Sequence, residues 1–223
     1  MAFNSAMHQT WRRQTRSKNA LLIGGRGQYA GPDKARGKAA SGRIVSVTET
    51  PDAIVIVGDA TAAYQSQTPH VHSVTRALHL VGENYLVIVD EVVLGEAAPL
   101  TWLLHAVSGL SASGQTFRLV GERAGLTGQF VWSSAGALDV AVVQGFPDIP
   151  PDEIKGLAQH CHIAATTPSA TRHTLVTLLV PFPLSAPRRI LHFIDDQGHG
   201  VHVSFVDEDG VEYKIGLERV SSI

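Results

Sequence analysis

The chain of 223 residues is long enough for one sizeable core, and 44% hydrophobic with 17% charged residues is typical of a folded globular domain. Disorder would need lower hydrophobicity and a larger net charge than −2. A single cysteine, Cys161, excludes an internal disulfide, and no apolar run approaches the roughly 18 residues of a membrane span. The opening residues lack the apolar core of a secretory signal, so cytoplasm and periplasm both stay open.

The body of the chain is predicted to be a succession of short β-strands. Val, Ile, Thr and aromatic residues concentrate in runs that end at Gly, Pro, Asp or Asn. Alternation over 43–48 and 72–80 predicts strands with one face toward a core and the other in water. The predicted strands span residues 19–23, 43–48, 53–58, 72–81, 85–93, 100–107, 116–121, 129–133, 138–144, 160–166, 173–180, 189–194, 201–206 and 212–217.

Turn residues predict hairpins at 50–52, 81–84 and 207–210. The best helical candidate is a turn or two over 151–157, where Pro-Asp-Glu makes a plausible helix start. Many short strands with very little helix predict an all-β fold, an antiparallel β-sandwich, in a single domain over residues 1–223. Beyond pairing of neighbours through hairpins, the strand order is not predicted.

A glycine-rich stretch, Gly25-Arg26-Gly27-Gln28-Tyr29-Ala30, matches the loose dinucleotide pattern G-x-G-x-x-A after a strand. That mechanism requires a helix to begin at this point, so that its N-terminus meets the pyrophosphate. Gly-Pro-Asp follows instead, with no helical period. We therefore interpret the glycines as a turn.

Two adjacent carboxylates, Asp90 and Glu91, lie at a predicted strand end. Neighbours on a strand face opposite ways, so the pair cannot jointly grip one glycosidic bond. We interpret them as structural residues at an edge or turn.

Eleven histidines raise the question of a metal site. His160 and His162 are two residues apart, as are His70 and His72, so each pair projects from one strand face. Catalytic zinc needs three protein ligands and structural zinc four, and the sequence names no third partner. We interpret both pairs as partly buried strand histidines, predict no metal site, and expect Cys161 to face the core.

The opening segment, residues 1–38, is strongly basic. It holds eight Lys or Arg against one acidic residue, which gives +7 and leaves −9 for the rest. It is either a solvated terminal arm or a surface for a polyanion, where Arg pairs with carboxylate or sulfate and Trp11 offers a ring for stacking. An acidic carbohydrate is favoured over nucleic acid, because the body is acidic and shows no nucleic-acid module.

The opening segment also begins an ordered series of motifs. Residues 8–15 read His-Gln-Thr-Trp-Arg-Arg-Gln-Thr, and residues 18–28 read Lys-Asn-Ala-Leu-Leu-Ile-Gly-Gly-Arg-Gly-Gln. Later matches are Gly-Asp-Ala at 58–60, Tyr64, Arg76, Tyr-Leu-Val-Ile-Val-Asp at 85–90 and Trp-Leu-Leu-His at 102–105. This series resembles the heparinase II/III-like polysaccharide lyases, in which an Arg-Arg/Thr cluster leads into a His-Asn-Thr-Leu-Leu-Ile-Asp-Gly-x-Gly-Gln type motif.

The resemblance implies an N-terminal α/α toroid followed by a C-terminal β-sandwich, with this chain corresponding to the sandwich alone. It implies cleavage of uronic-acid-containing polysaccharides by β-elimination: a base removes the proton next to the carboxylate, and an acid, commonly Tyr, protonates the leaving oxygen. The Tyr, Asn and His of the helical domain and the His-x-His segment of the sandwich are expected upstream of Met1. The isolated chain is therefore expected to be inactive; the alternative is a non-catalytic carbohydrate-binding or structural module.

Two positions depart from the family motif. Some members bind zinc through three ligands, the last being the His that opens His-Asn-Thr-Leu; here that position is Lys18, whose ammonium cannot ligate, so no zinc cofactor is expected. The motif Asp is replaced by Gly24. Expected partners are an acidic polysaccharide and an α/α-toroid domain or a second copy of the chain, with no nucleic acid and no membrane. No catalytic residue is assigned; the candidate substrate-binding residues are His8, Trp11, Arg12, Arg13, Lys18, Gln28 and Tyr64.

Overall fold

The computed structural model describes residues 5–51, 53–82 and 85–185 in full, and beyond them the pairing of three further strands. The described strands are β1 (Leu21–Ile23), β2 (Arg43–Glu49), β3 (Ala53–Asp59), β4 (Val71–Val81), β5 (Tyr85–Ala98), β6 (Leu100–Ala106), β7 (Leu110–Ser113), β8 (Thr116–Val120), β9 (Ala124–Ser133), β10 (Asp139–Gln144), β11 (Cys161–Thr166), β12 (Ala170–Pro183), β13 (Leu191–Asp196), β14 (Val201–Val206) and β15 (Glu212–Leu217). The described helices are a π-helical turn (Met7–Arg12), a 3₁₀ turn (Thr15–Ser17), α1 (Lys34–Ala39), α2 (Thr61–Gln65) and α3 (Pro151–Ile154).

Two antiparallel sheets form a sandwich, which confirms the predicted fold class. The smaller sheet has the order β1-β6-β11-β10, and the larger has the order β2-β3-β4-β5-β12-β9-β8-β7. Strands β13, β14 and β15 form a separate antiparallel sheet. Within the described residues, no helix is both long and apolar enough to span a bilayer.

The main core lies between the two sheets. In β6 the residues Leu100, Trp102 and Leu104 point into it, and Ile163 does so from β11. Because side chains alternate along a strand, the residues between them face the outer side of the smaller sheet. Cys161 shares the inward face and is 2% exposed, so the prediction that it faces the core is confirmed.

Strand β2 contradicts the prediction that one of its faces is buried. All of its residues are exposed, with Ile44 at 70%, Val45 at 56% and Val47 at 63%. It is the edge strand of an eight-stranded sheet that is packed against a sheet of only four strands. The larger sheet is therefore wider than its partner, and alternation in the sequence does not reveal which strand is left uncovered.

Asp90 is also placed differently from the prediction. It lies within the long central strand β5 and is fully buried, not at an edge or turn. The carboxylate pairs with Arg76 of β4 through two hydrogen bonds, Nε to Oδ1 at 2.6 Å and Nη2 to Oδ2 at 2.9 Å. The prediction that Asp90 is structural is consistent with this ion pair, but its predicted position at an edge or turn is wrong.

The turns agree with the sequence where they are described. Gly24 and Gly25 both have positive φ, as a two-residue hairpin turn after β1 requires, which agrees with the interpretation of these glycines as a turn. The predicted helix at 151–157 is present as α3, whereas α1 was missed, although Asp33 caps it by accepting from two backbone N–H groups. The residues of the hairpin predicted at 207–210 lie outside the described residues.

Candidate functional site

The first part of the opening segment is packed against the outer side of the smaller sheet. Met7 and Trp11 of the π-helical turn are buried with Ile149 in a small apolar cluster. Glu153 of α3 fixes the start of this turn, since its carboxylate accepts from the backbone N–H of Ala6 at 2.8 Å and of Met7 at 2.6 Å. These contacts hold the basic residues that follow in defined positions.

A cationic depression of about 320 Å³ lies beside this packed segment. Arg12 and Lys18 line it, both exposed, together with Trp11, Ser17 and His160. The Lys18 ammonium donates to the Arg12 carbonyl at 2.9 Å and to the Ser17 hydroxyl at 3.1 Å, which fixes its position at the rim. None of the described residues that line the depression carries a carboxylate. Its charge therefore suits an anionic ligand.

A second hollow of about 290 Å³ is less suited to an anion. Its cation is Arg16, whose guanidinium pairs with Asp148 at 2.7 Å and lies over the Trp11 ring at 5.4 Å. The charge of Arg16 is thus already offset by a carboxylate.

Three histidine rings meet beneath the depression, on the outer side of the smaller sheet. The pairing of β11 with β6 places His162 directly opposite His105, and His160 immediately precedes β11. The ring centroid of His105 lies 4.8 Å from that of His162 and 5.1 Å from that of His160. Nδ1 of His105 and Nε2 of His160 are 3.1 Å apart. One ring nitrogen from each residue lies within 4.8 Å of the other two.

These rings are electrically neutral near neutral pH. Burial, with smaller contributions from His162 and His160, lowers the pKa of His105 to about 4, although the Lys18 backbone carbonyl acts in the opposite direction. Burial also lowers the pKa of His160 and of His162. Nε2 of His105 and Nδ1 of His162 are buried without a hydrogen-bond partner. Neutral imidazoles with unused nitrogens are potential metal ligands.

Trp11 covers the three histidines, and little of its ring is exposed to solvent. Its ring centroid lies 6.1 Å from that of His105, 5.3 Å from that of His160 and 5.9 Å from that of His162. The residue is 4% exposed, and its role in substrate binding stays a prediction. A basic, acid-poor segment with one Trp gave no indication that the ring would be buried beneath its own chain.

Tyr64 is also withdrawn from solvent. It is 2% exposed, and its hydroxyl donates to the Leu21 carbonyl at 2.7 Å. Burial raises its pKa, against the opposing effect of a hydrogen bond from the Gln28 side chain. Tyr64 and Gln28 therefore form a hydrogen-bonded pair that supports the packing of β1, and the substrate contact of Tyr64 stays a prediction.

Two further candidate substrate-binding residues, His8 and Arg13, lie on the opening segment and make hydrogen bonds within it. His8 and Arg13 are half-buried; the His8 backbone N–H donates to the Ser5 hydroxyl at 3.2 Å, and Arg13 donates to the Gln9 side chain at 3.0 Å. Of the seven candidates, the structure brings Trp11, Arg12 and Lys18 to one depression.

His105 was missed as a partner of His160 and His162. It appears in the sequence only as the last residue of Trp-Leu-Leu-His, and nothing local connects it to residues 55 and 57 positions later. The other histidine pair gains no such partner among the described residues: His70 lies 3.2 Å from Glu96 at the surface, and His72 is exposed.

The fold and the site together define an antiparallel β-sandwich domain with a cationic depression beside its smaller sheet. A family model described as "Heparinase II/III-like, C-terminal" matches residues 1–190. The chain belongs to this family. No curated protein sequence matches the chain.

Solved structures similar to this chain carry the same fold. The heparan sulfate lyase HepC mutant from Pedobacter heparinus has a TM-score of 0.73 at 10% identity, and the match covers 100% of this chain and 34% of that chain. The heparinase III BT4657 gene product has a TM-score of 0.72 at 13% identity, over 98% of this chain and 33% of that chain. A further heparinase III gives 0.71 at 12% identity, over 98% and 32%. The chain thus spans about a third of the length of these enzymes.

Proposed function

We propose that this chain is the glycan-binding β-sandwich of a polysaccharide lyase that cleaves acidic, uronic-acid-containing polysaccharides by β-elimination together with a helical domain. Family membership over residues 1–190 supports the lyase assignment. The similar heparan sulfate lyase from Pedobacter heparinus supports an acidic glycan as the substrate class.

The observation that carries this proposal is the cationic depression. Arg12 and Lys18 are exposed at its rim, and no carboxylate of the described residues competes for them there. A volume of about 320 Å³ falls in the range of ligand sites, which begins at roughly 300 Å³. The two cations give the depression a charge that suits a short stretch of acidic sugar.

The two cations have different parts in binding. The guanidinium of Arg12 has a planar set of donors that matches a carboxylate or sulfate, whereas the Lys18 ammonium acts as a point charge held by its bond to Ser17. Bound to a uronate carboxylate, such cations also stabilise the negative charge that develops when the neighbouring proton is removed. In this proposal the base and the acid of the elimination come from the helical domain.

Binding of heparan sulfate oligosaccharides to the purified chain, measured by calorimetry at low salt, tests the proposal. We expect weak, saturable binding that diminishes as salt is raised, because exposed ion pairs are screened. The double variant Arg12→Ala/Lys18→Ala should bind about 5- to 30-fold more weakly, from about 0.5–1 kcal/mol for each exposed pair.

A matched control removes the same charge elsewhere on the opening segment. Lys34→Ala/Lys38→Ala changes two exposed cations of α1, neither of which lines the depression. The affinity of this control variant should stay within about twofold of wild type, because the loss of net positive charge alone has only a small, screened effect on binding. Equal losses in both double variants would contradict a site at the depression, and undetectable binding by wild type would favour a structural module.

The partner in this proposal is a helical domain that covers the exposed strand β2. The chain spans about a third of the matched lyases, so most of such an enzyme lies outside it. Ile44, Val45 and Val47 give β2 an uncovered apolar surface of the kind that domains bury against each other. Light scattering of the isolated chain distinguishes a helical domain from a second copy of the chain as the partner of β2. A dimer that the substitution Val47→Lys converts to a monomer would show that a second copy covers this strand instead.

A further inference from the structure

The three-histidine cluster under Trp11 has a geometry that packing alone does not require. The structure brings together His105 of β6, His162 of β11 and His160, which immediately precedes β11, with one nitrogen of each within 4.8 Å of the others. Among the described residues, this is the group of His, Cys, Asp or Glu side chains that approaches metal-ligand spacing. The geometry points to a binding site for a divalent transition-metal ion such as Zn²⁺, ligated by these three imidazoles.

The spacing is close to that of a tetrahedral ion. A Zn–N distance of 2.0–2.1 Å places two ligand nitrogens about 3.3 Å apart. Nδ1 of His105 and Nε2 of His160 are already 3.1 Å apart, in a hydrogen bond that the ion would replace. The His162 nitrogen has to approach by no more than about 1.5 Å, which a small rotation of its side chain provides. Three imidazoles leave a fourth position for water, and the depression that His160 lines supplies access to it.

The unmet hydrogen bonds of the cluster are the second observation. Nε2 of His105 and Nδ1 of His162 are buried and unpaired, and buried polar nitrogens of this kind are normally satisfied. Ligation through Nδ1 would satisfy His162, whereas the unpaired Nε2 of His105 belongs to a ring that would ligate through its other nitrogen, Nδ1. Burial keeps the rings in the neutral form that metal ions need, so loading would release few protons near neutral pH.

This ligand set is separate from the zinc position that the family motif places at residue 18. Lys18 contributes an ammonium that bonds to Arg12 and Ser17, and none of the three histidines belongs to that motif. Lys18 lies at the rim of the depression, and Arg16 on the outer face of Trp11 is already paired with Asp148. The Lys18 charge repels a metal ion, so its removal should not weaken binding.

Titration of the tag-free, chelator-treated chain with Co²⁺ and Zn²⁺ tests this inference. Co²⁺ in a tetrahedral nitrogen site gives a visible absorption band, which we expect to appear with one-to-one stoichiometry and to disappear when Zn²⁺ displaces the cobalt. The Kd for Zn²⁺ should be micromolar or tighter, and Zn²⁺ at about 100 times the Kd should raise the Tm by roughly 5–10 °C.

Variants locate the ion. His160→Gln lies outside the strands and should lower the Zn²⁺ affinity by more than about tenfold while preserving the fold. The control His70→Gln removes a histidine from the other pair and should bind as wild type does. Lys18→Gln should bind equally or more tightly. The inference is overturned by the absence of a cobalt band and of saturable zinc binding, by unchanged affinity in His160→Gln, or by loss of binding in His70→Gln or Lys18→Gln.

Discussion

The buried ion pair between Arg76 and Asp90 is the clearest place to test the account of the fold. Asp90 is fully buried, and the Arg76 side chain is 27% exposed. Arg76 also donates from Nη1 to the Asn19 carbonyl at 3.0 Å. In Arg76→Met the Asp90 carboxylate would remain buried in the sheet without its cation, and the Asn19 carbonyl, just before β1, would lose its hydrogen bond from Arg76.

Removing one partner of a buried ion pair typically destabilises a protein by about 3–5 kcal/mol, because the other charge is left uncompensated. For a chain of this size, that corresponds to a decrease in Tm of roughly 6–20 °C. The double variant Arg76→Met/Asp90→Leu removes both charges and should be more stable than Arg76→Met alone.

The assay is urea unfolding followed by circular dichroism, with Arg43→Met as the control. Arg43 and Asp59 form an Arg–Asp pair in the same sheet at 3.1 Å, but Arg43 is 76% exposed, so its loss should change the free energy of unfolding by less than about 1 kcal/mol. Equal effects of Arg76→Met and Arg43→Met, or a double variant no more stable than Arg76→Met, would refute the reasoning.

Three further changes probe other parts of the structure. Gly128→Ala should destabilise by about 1–3 kcal/mol in thermal melts, because its Cβ would lie 2.0 Å from the buried Phe117 ring, whereas Gly58→Ala meets nothing closer than 3.8 Å and should be near neutral. Burial lowers the pKa of His173 below its ordinary 6.5, so the unfolded chain binds more protons than the folded chain does. The stability that comes from the neutral ring should be present above pH 6.5 and lost as the pH falls below it. The urea midpoint of His173→Gln should therefore fall less steeply with decreasing pH than that of wild type. Glu153→Gln should cost about 1 kcal/mol in urea unfolding, since it weakens the cap on the π-helical turn; an unchanged midpoint would contradict that role.

Features that depend on local spacing were predictable from the sequence. Strand alternation placed Cys161 in the core and the flanking histidines on the outer side, because residues one apart face opposite ways. The hairpin predicted at 81–84 also determines which residue lies opposite Asp90, because pairing Val81 with Tyr85 brings Arg76 opposite Asp90. The register that pairs Arg76 with Asp90 is therefore predictable from the position of the turn.

Features that depend on non-local pairing were not predictable. His105 meets His162 only because β6 pairs with β11 in one register, and a shift of one residue would place the two rings on opposite faces. The exposure of Val47 depends on the difference in width between two sheets, which no single strand encodes. The burial of Trp11 depends on contacts with Ile149 and His160, far along the chain.

The central claim is that this sandwich serves a lyase which needs a helical domain for its chemistry. The most direct measurement is the rate at which the ultraviolet-absorbing unsaturated uronate forms from heparan sulfate, with the isolated chain and with the protein encoded by the complete open reading frame. The account predicts no product from the isolated chain and steady product from the complete protein, lowered by Arg12→Ala/Lys18→Ala. Rapid product formation by the isolated chain would contradict the need for a helical domain, and no product from the complete protein with any uronic-acid polysaccharide would contradict the lyase assignment.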